Sequence, residues 1–512
     1  MPEFDYVIVG AGTAGCVLAA RLSENPANEV LLVEAGRPSG PEAIKTWYLW
    51  PTLAGSDIDW CHWTEPQPGL ADTRLLLSQG KVLGGSSATN GTMHVRGRPT
   101  DYDAWAGFAQ GWDHASLLPY FRRSETASTG NPELRGTDGP MRVAALPLRT
   151  ELGEALHRAA IDAGYPETDD LNGAHPDGVG RNEHNVVAGV RQSAADAYLG
   201  PARDRKNLTV LTDATARWLQ FAYRRCTGVL LQTADGLQSF SARIEVVVAA
   251  GAIGSPHLLM ASGIGPADHL TEHGVPVLVD APQVGSNLYD HVLSGVVYQS
   301  PDESSPQPPQ TFVVRPPGDA GGPHHGDVLM VCVSVPNHSP ALAGPINGYT
   351  IAFGLMRPLS RGTVRLANAD PTQRPLVNPR YLSVREDIDR MIQGLRMARE
   401  VGDQPALDAW RKEEALPGPD VQNYDDCLRY LQRSATPFFH PAGTCRLGDD
   451  PNSVVDGELR LRGVEGVRVV DASVMPAPIC ANTNATVLAI AERAADLIDD
   501  SRVRPGPTPT RH

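Results

Sequence analysis

Apolar residues come in short unbroken bursts early in the chain, Tyr6–Val9 and Val30–Val33, the first ending at Gly10 and the second at Glu34. Runs of this length bounded by turn signals predict strands buried on both faces, as in a parallel sheet. Between them, "GAGTAGCVLAARL" turns through Gly10, Gly12 and Gly15 and then holds small and apolar residues, which predicts a helix packed closely on the first strand. A 3.6-residue period follows in "ELGEALHRAAIDAGY", residues 151 to 165, with Leu152, Leu156, Ala159 and Ala160 on one face. Alternation resumes from 207 to 250 in "NLTVLT", "TGVLLQT" and "IEVVVAAG", and the last strand opens a second helix, "SPHLLMASGIG". Strand patterns return in "TIAFGLM" and "GTVRLAN", and residues 384 to 401 form a charged amphipathic helix. Two stretches break the pattern. Residues 74 to 106 are too small and polar for a core element and read as a loop that holds a ligand by its backbone. Residues 300 to 326 are proline-rich and polar, cannot hold a regular element for long and read as an exposed crossover or a lid. The tail from Ser501 to His512 is expected to fray.

Composition narrows the class. At 512 residues, 41% hydrophobic and 20% charged, the chain is an ordinary globular protein large enough for two to four domains. A net charge of −15 repels phosphate backbones and anionic lipid surfaces, so neither a nucleic-acid partner nor membrane insertion is expected. The seven cysteines are scattered, odd in number and never in C-x-x-C spacing, which argues against a disulfide framework and against a zinc site. Reduced cysteines, no room for a signal peptide before Tyr6 and no spanning apolar run predict a cytoplasmic protein, a monomer or small homo-oligomer.

The first glycines carry chemistry. G-x-G-x-x-G after a strand and before a helix lets Gly10 make the tight turn, Gly12 admit a pyrophosphate to backbone N–H groups beside Thr13 and Ala14, and Gly15 pack helix on strand. Glu34, followed by Ala35, ends the second strand about 20 residues on, where a carboxylate accepts ribose hydroxyls. This pattern predicts a dinucleotide and leaves NAD and FAD both open. Gly84-Gly85-Ser86-Ser87 is a candidate nest of N–H donors. Late in the chain, "FFHPAGTC" sets His440 between phenylalanines and small residues; a zinc reading with Cys445 lacks further ligands, and Cys445 reads as packing. His324 and His325, adjacent in a Gly/Pro loop, are given no role.

Taken together, these segments resemble the glucose–methanol–choline (GMC) oxidoreductases over nearly the whole chain. "GAGTAGC" with Glu34, "GKVLGGSSATNG", "GAIGSPHLLMASGIG", "VGSNLYDH", "PLSRGTVRL" and "HPAGTC" match the family's segments in order. The resemblance implies an α/β fold, a Rossmann-like FAD-binding domain from residues 1–150, 196–295 and 440–512, and an α+β substrate domain on an antiparallel sheet from 151–195 and 296–439. It implies FAD as the cofactor, with Val82, Gly85, Ser86, Asn90, Gly91, Thr92 and Met93 around the isoalloxazine and ribityl chain and Ala216 at the adenine. Ala250, Gly251, Asp471 and Ala472 would meet the pyrophosphate side, and Asn484, Ala485 and Thr486 the pyrimidine edge. Relatives with covalent flavin carry histidine where this chain has Thr89, so dissociable FAD is expected. The resemblance further places His440 and Asn484 side by side over the flavin as base and hydrogen-bond donor, with His62 and Phe439 bordering substrate and His94 and His291 in supporting positions. The implied activity is oxidation of a primary alcohol, aryl, heteroaryl, polyol or amino-sugar in type, with O₂ as acceptor and H₂O₂ as product. A dehydrogenase using another acceptor and a non-redox hydroxynitrile lyase share the same residues and remain open.

Overall fold

A computed structural model describes residues 2–503 apart from 147–149, 302–310, 317–324 and 340. Two seven-stranded sheets organise it. In the first, Leu208–Leu211, Val30–Val33, Glu3–Val9 and Gly236–Val248 lie in that order and in parallel, and Val467–Val469 pairs with the last of them, also in parallel. The hydrophobic bursts are the central strands: Tyr6 to Val9 and Val30 to Val33 are all buried. Gly236–Val248 then folds back through the antiparallel strands Arg225–Thr233 and Thr215–Ala222. The helix Thr13–Leu22 packs against the C-terminal helix Asn484–Val503 and so brings the two ends of the chain together.

The second sheet is antiparallel throughout, in the order Glu413–Leu416, Val292–Gln299, Gly348–Leu355, Val328–Val333, Thr311–Arg315, Gly178–Arg181, with Thr436–Pro437 alongside Val292–Gln299. Its two faces do different work because side chains alternate along a strand. Tyr349, Ile351, Phe353 and Leu355 join the core beneath the helix Arg385–Gly402, where a side chain on Gly394 would meet the Phe353 ring at 2.8 Å. On the other face Ala352 pairs with Val331 and Gly295, and all three line a cavity.

The proline-rich stretch needs a correction. Thr311–Arg315 is an interior strand, paired on both sides, and Arg315 is fully buried with its guanidinium on the carbonyls of Leu171 and Arg96. The β-branched pair Val313-Val314 fits a two-sided pleated surface, and tertiary pairing outweighs the flanking prolines. Residues 302–310 and 317–324 of that stretch, which include His324, and the side chain of His325 lie outside the described residues, as does the tail beyond Val503.

Candidate active site

At one end, the first strand–turn–helix unit makes an anion cradle. Gly10 turns at φ +103°, and a Cβ on Gly15 would stand 1.9 Å from the Gly10 carbonyl oxygen, so the helix lies flush on the strand. Nothing would lie within 4 Å of a side chain at Gly12, which faces the cavity, and no side chain caps this helix. Its first-turn N–H groups are therefore open to an anion at the positive end of the dipole. Glu34 accepts hydrogen bonds from Ala11 N (2.9 Å) and Gly36 N (2.8 Å), and burial pushes its carboxyl up to about 7 against the pull of those donors. Gly85 comes so close to Gly12 that a Cβ on it would lie 2.7 Å from the Gly12 Cα.

A cavity of about 910 Å³ runs from this cradle to His440. Gly10, Gly12, Thr13, Ala14, Glu34, Ala35, Gly85, Ser86, Asn90, Gly91, Thr92, Met93, Ala216, Ala250, Gly251, Asp471, Ala472 and Asn484 all line it, as do His62, Phe439 and His440. Asp471 turns its carboxylate inward onto Gly251 N, Ser473 N and the Ser255 hydroxyl, so it ties the second helix to the turn at 472–474. Thr92 sits at φ +60° and its hydroxyl meets His184 Nδ1 at 3.0 Å, which fixes the Asn90–Met93 backbone along the wall.

Several expected residues stand elsewhere. Val82 is sealed in a small cluster with Leu53, Ile58 and Ala88. Ala485 points into the main core, and the Thr486 hydroxyl is 2.8 Å from Tyr102 Oη, because the helix that begins at Asn484 turns these residues inward. Gly15, by contrast, packs helix on strand as its place in the motif predicts. His62 is linked to the cradle end through its neighbours: its ring stacks on Trp60 at 6.0 Å, and the Lys81 ammonium, which acts on Glu34, lies 5.1 Å over that same indole.

The largest correction concerns Asn484. Its Oδ1 accepts from the Thr13 hydroxyl at 2.8 Å, at the cradle, and it is Asn482 that stands on His440, Nδ2 to Nε2 at 3.2 Å. The motif "NTN" offers two asparagines two residues apart, and the second is taken as the first residue of the helix. Asn482 lies in the segment before it, anchored where Cys480 N donates to the Asp101 carboxylate at 2.8 Å.

"NLYDH" supplies the mount for His440. Tyr289 and Ala442 exchange backbone hydrogen bonds, Phe438 N donates to the His291 carbonyl, and His440 N donates to Asp290 Oδ1 at 2.7 Å. Tyr381 Oη donates to the other Asp290 oxygen at 2.6 Å. Phe439 adopts φ +62°, a left-handed turn within a segment where Phe438, Phe439 and His440 all face the cavity. His440 Nδ1 is 2.9 Å from His291 Nδ1. Two ring nitrogens at that distance share one proton. With the Asn482 amide donating to Nε2, the proton of neutral His440 is on Nδ1, His291 accepts it, and Nε2 keeps a lone pair. Burial, with His291 adding to it, holds His440 well below the ordinary imidazole range. His291 is pushed down to about 4, mainly by burial. His94 is removed from the site, bonded to Glu125 at 2.9 Å. Cys445 is fully buried, and burial raises its thiol, so packing is its role.

The donors at Gly12–Ala14 fit a diphosphate, the acid at Glu34 a ribose diol, and the cavity wall at Asn90–Met93 a ring system beyond them, the groups that FAD carries. Thr89 lines the cavity, and a hydroxyl offers no imidazole for a flavin bond. Acid precipitation of the yellow protein is therefore expected to leave flavin absorbance in the supernatant; colour retained in the pellet would show a covalent link elsewhere.

Comparison with known proteins identifies the family. The GMC oxidoreductase N-terminal profile matches residues 4–293 and the C-terminal profile residues 358–491. The oxygen-dependent choline dehydrogenase of Pectobacterium carotovorum subsp. carotovorum is 37% identical, covering 97% of this chain and 94% of its own, and that of Escherichia coli O157:H7 is also 37% identical, covering 99% and 96%. Among solved structures, pyridoxine 4-oxidase from Mesorbium loti superposes with a TM-score of 0.92 at 36% identity, covering 96% of this chain and 98% of that one. Formate oxidase superposes at 0.89 with 28% identity, covering 98% and 99%. The chain thus belongs to the GMC oxidoreductase family, as an FAD-binding oxidoreductase acting on CH–OH groups.

Proposed function

We propose that this protein oxidises a primary aryl or heteroaryl alcohol to the aldehyde, with O₂ reduced to H₂O₂. The observation that carries the reading is the convergence of His440 Nε2 and Asn482 Nδ2, 3.2 Å apart, on the cavity. A substrate hydroxyl between them donates to Nε2 and accepts from Nδ2. His440 takes the hydroxyl proton, and the resulting imidazolium stays hydrogen-bonded to neutral His291 through Nδ1. Asn482 steadies the oxygen as its charge develops. FAD, when bound, supplies the acceptor for the hydride that leaves the carbinol carbon and passes the electron pair to O₂. Phe438, Val331, Val333, Leu293 and Ala352 give that end an apolar wall, which suits an aromatic ring and limits competing water.

The oxygen-dependent choline dehydrogenases and the pyridoxine 4-oxidase support an oxidase reading, and the second, acting on a ring-borne alcohol, supports the heteroaryl class. A peroxide-coupled screen of the yellow protein against benzyl, furfuryl, pyridoxine, choline and aminoglycoside alcohols tests both parts. Peroxide with the ring alcohols is the expected result. Dye reduction without peroxide would assign another acceptor, and product formed anaerobically from an oxidised flavin would assign a lyase.

The position of His440 also sets the pH dependence. A base is lost as pH falls through its folded-state pKa, and burial places that pKa well below 6.5. The kcat/KM profile is expected to stay level across neutral pH and to decline only on the acid side of 6.5. Rates of flavin reduction measured across that range check this, and an acid limb centred above 6.5 would mean that another group is the base.

A further inference from the structure

The cradle end of the cavity holds an imidazole with no partner. His62 is 6% exposed and lines the cavity, its Nδ1 is enclosed without a hydrogen bond, and no described residue bonds either ring nitrogen. A buried polar ring of this kind is costly unless something satisfies it. The ring is held flat on Trp60, 6.0 Å between centroids and 8° between planes, with Lys81 on that indole as well. It is presented on a two-residue strand, His62–Trp63, paired with Leu76–Leu77, so its direction is fixed by backbone. His257 acts on His62 through space and is itself acted on by Arg217, beside Ala216, and all four line the cavity. Glu34, the ribose acid, is electrostatically coupled to the same Lys81. The ring thus sits where the base beyond that ribose must lie.

We propose that His62 recognises the adenine of FAD by a hydrogen bond from its cavity-facing edge, with Trp60 fixing the plane of the imidazole. Enclosed Nδ1 has no acceptor for a proton, so the neutral ring carries its hydrogen on Nε2 and donates to an acceptor nitrogen of the base. Burial pushes the imidazole down to about 4, so the ring is neutral at pH 7 and adds no charge to the site. The inference rests on FAD binding and is independent of which alcohol is oxidised.

Titration of the apoprotein with FAD and FMN, followed by flavin fluorescence, tests it. FMN lacks the adenosine half and serves as the internal control. His62→Phe is expected to raise the Kd for FAD about 5- to 10-fold, the weight of one hydrogen bond, and to leave that for FMN unchanged. His62→Gln, which keeps a donor near the Nε2 position, is expected to recover most of the FAD affinity. Parent-like FAD binding in His62→Phe overturns the proposal, and so does an equal loss for FAD and FMN, which would mean that the ring only shapes the cavity. Should the phenylalanine variant fail to fold, FAD analogues with 1-deaza, 3-deaza or 7-deaza adenine decide the matter on the parent apoprotein. One of the three is expected to bind more weakly by a similar factor, and three affinities equal to that of FAD overturn it.

Discussion

Replacement of His440 by alanine is expected to lower kcat/KM by about 10²- to 10⁴-fold, the usual worth of a positioned general base, while the protein keeps its flavin. The imidazole is bonded to His291 at Nδ1 and to Asn482 at Nε2, and its backbone N–H, not its ring, holds the Asp290 carboxylate. Truncation therefore keeps the backbone contacts of the mount, His440 N on Asp290 and Tyr289 on Ala442, while it removes the proton acceptor and frees His291 and Asn482 of their bonds to the ring. Anaerobic mixing with substrate reads the effect directly as slower bleaching of the flavin. Bleaching at the parent rate would take His440 out of the chemistry. Small imidazole-like bases added to the variant are expected to restore part of the rate, since the vacated volume opens onto the cavity.

The second large effect separates two asparagines. Asn482→Ala is expected to slow flavin reduction about 10²- to 10³-fold, the range for loss of a donor to a developing oxyanion, with FAD affinity little changed. Asn484→Ala is expected to do the reverse, keeping reduction within a few-fold and weakening FAD by about 5-fold, the weight of one neutral hydrogen bond. The reason is geometric: the Asn484 amide is spent on Thr13 in the cradle helix, and the Asn482 amide stands on the base. Rapid-mixing reduction rates and flavin titrations on the two variants settle the assignment. Equal defects in both would mean that the C-terminal segment acts as one structural unit.

Much of the cradle was legible because its logic is local. Gly10, Gly12 and Gly15 lie within six residues, and steric demands at 2 to 3 Å distances act between near neighbours and one adjoining strand. Glu34 follows from the length of one helix and one strand. The base itself was legible as a type, a histidine among apolar and small residues, but its mount was not. His291 and Asp290 are about 150 positions away from it, and nothing in their spacing announces that two imidazole nitrogens will meet at 2.9 Å. Asn482 and Asn484 could be told apart only once the start of the C-terminal helix was known, since helix boundaries shift by a residue or two on sequence grounds and two residues here exchange the roles. His62 was expected beside the substrate, and its two-residue strand carries no signal of which end of the cavity it faces. Thr311–Arg315 was hidden by the prolines that flank it, although its β-branched residues fit an interior strand.

By itself, then, the order of residues determined the parallel sheet, the glycine turn, the ribose acid and the presence of a late histidine, because each depends on hydrophobic burial or steric clearance over a few tens of positions. Tertiary structure alone decided which asparagine meets that histidine, which tautomer its ring adopts and which ring His62 stacks on. Those outcomes depend on side-chain directions where distant segments converge, and a hydrogen bond is made or lost over less than one ångström.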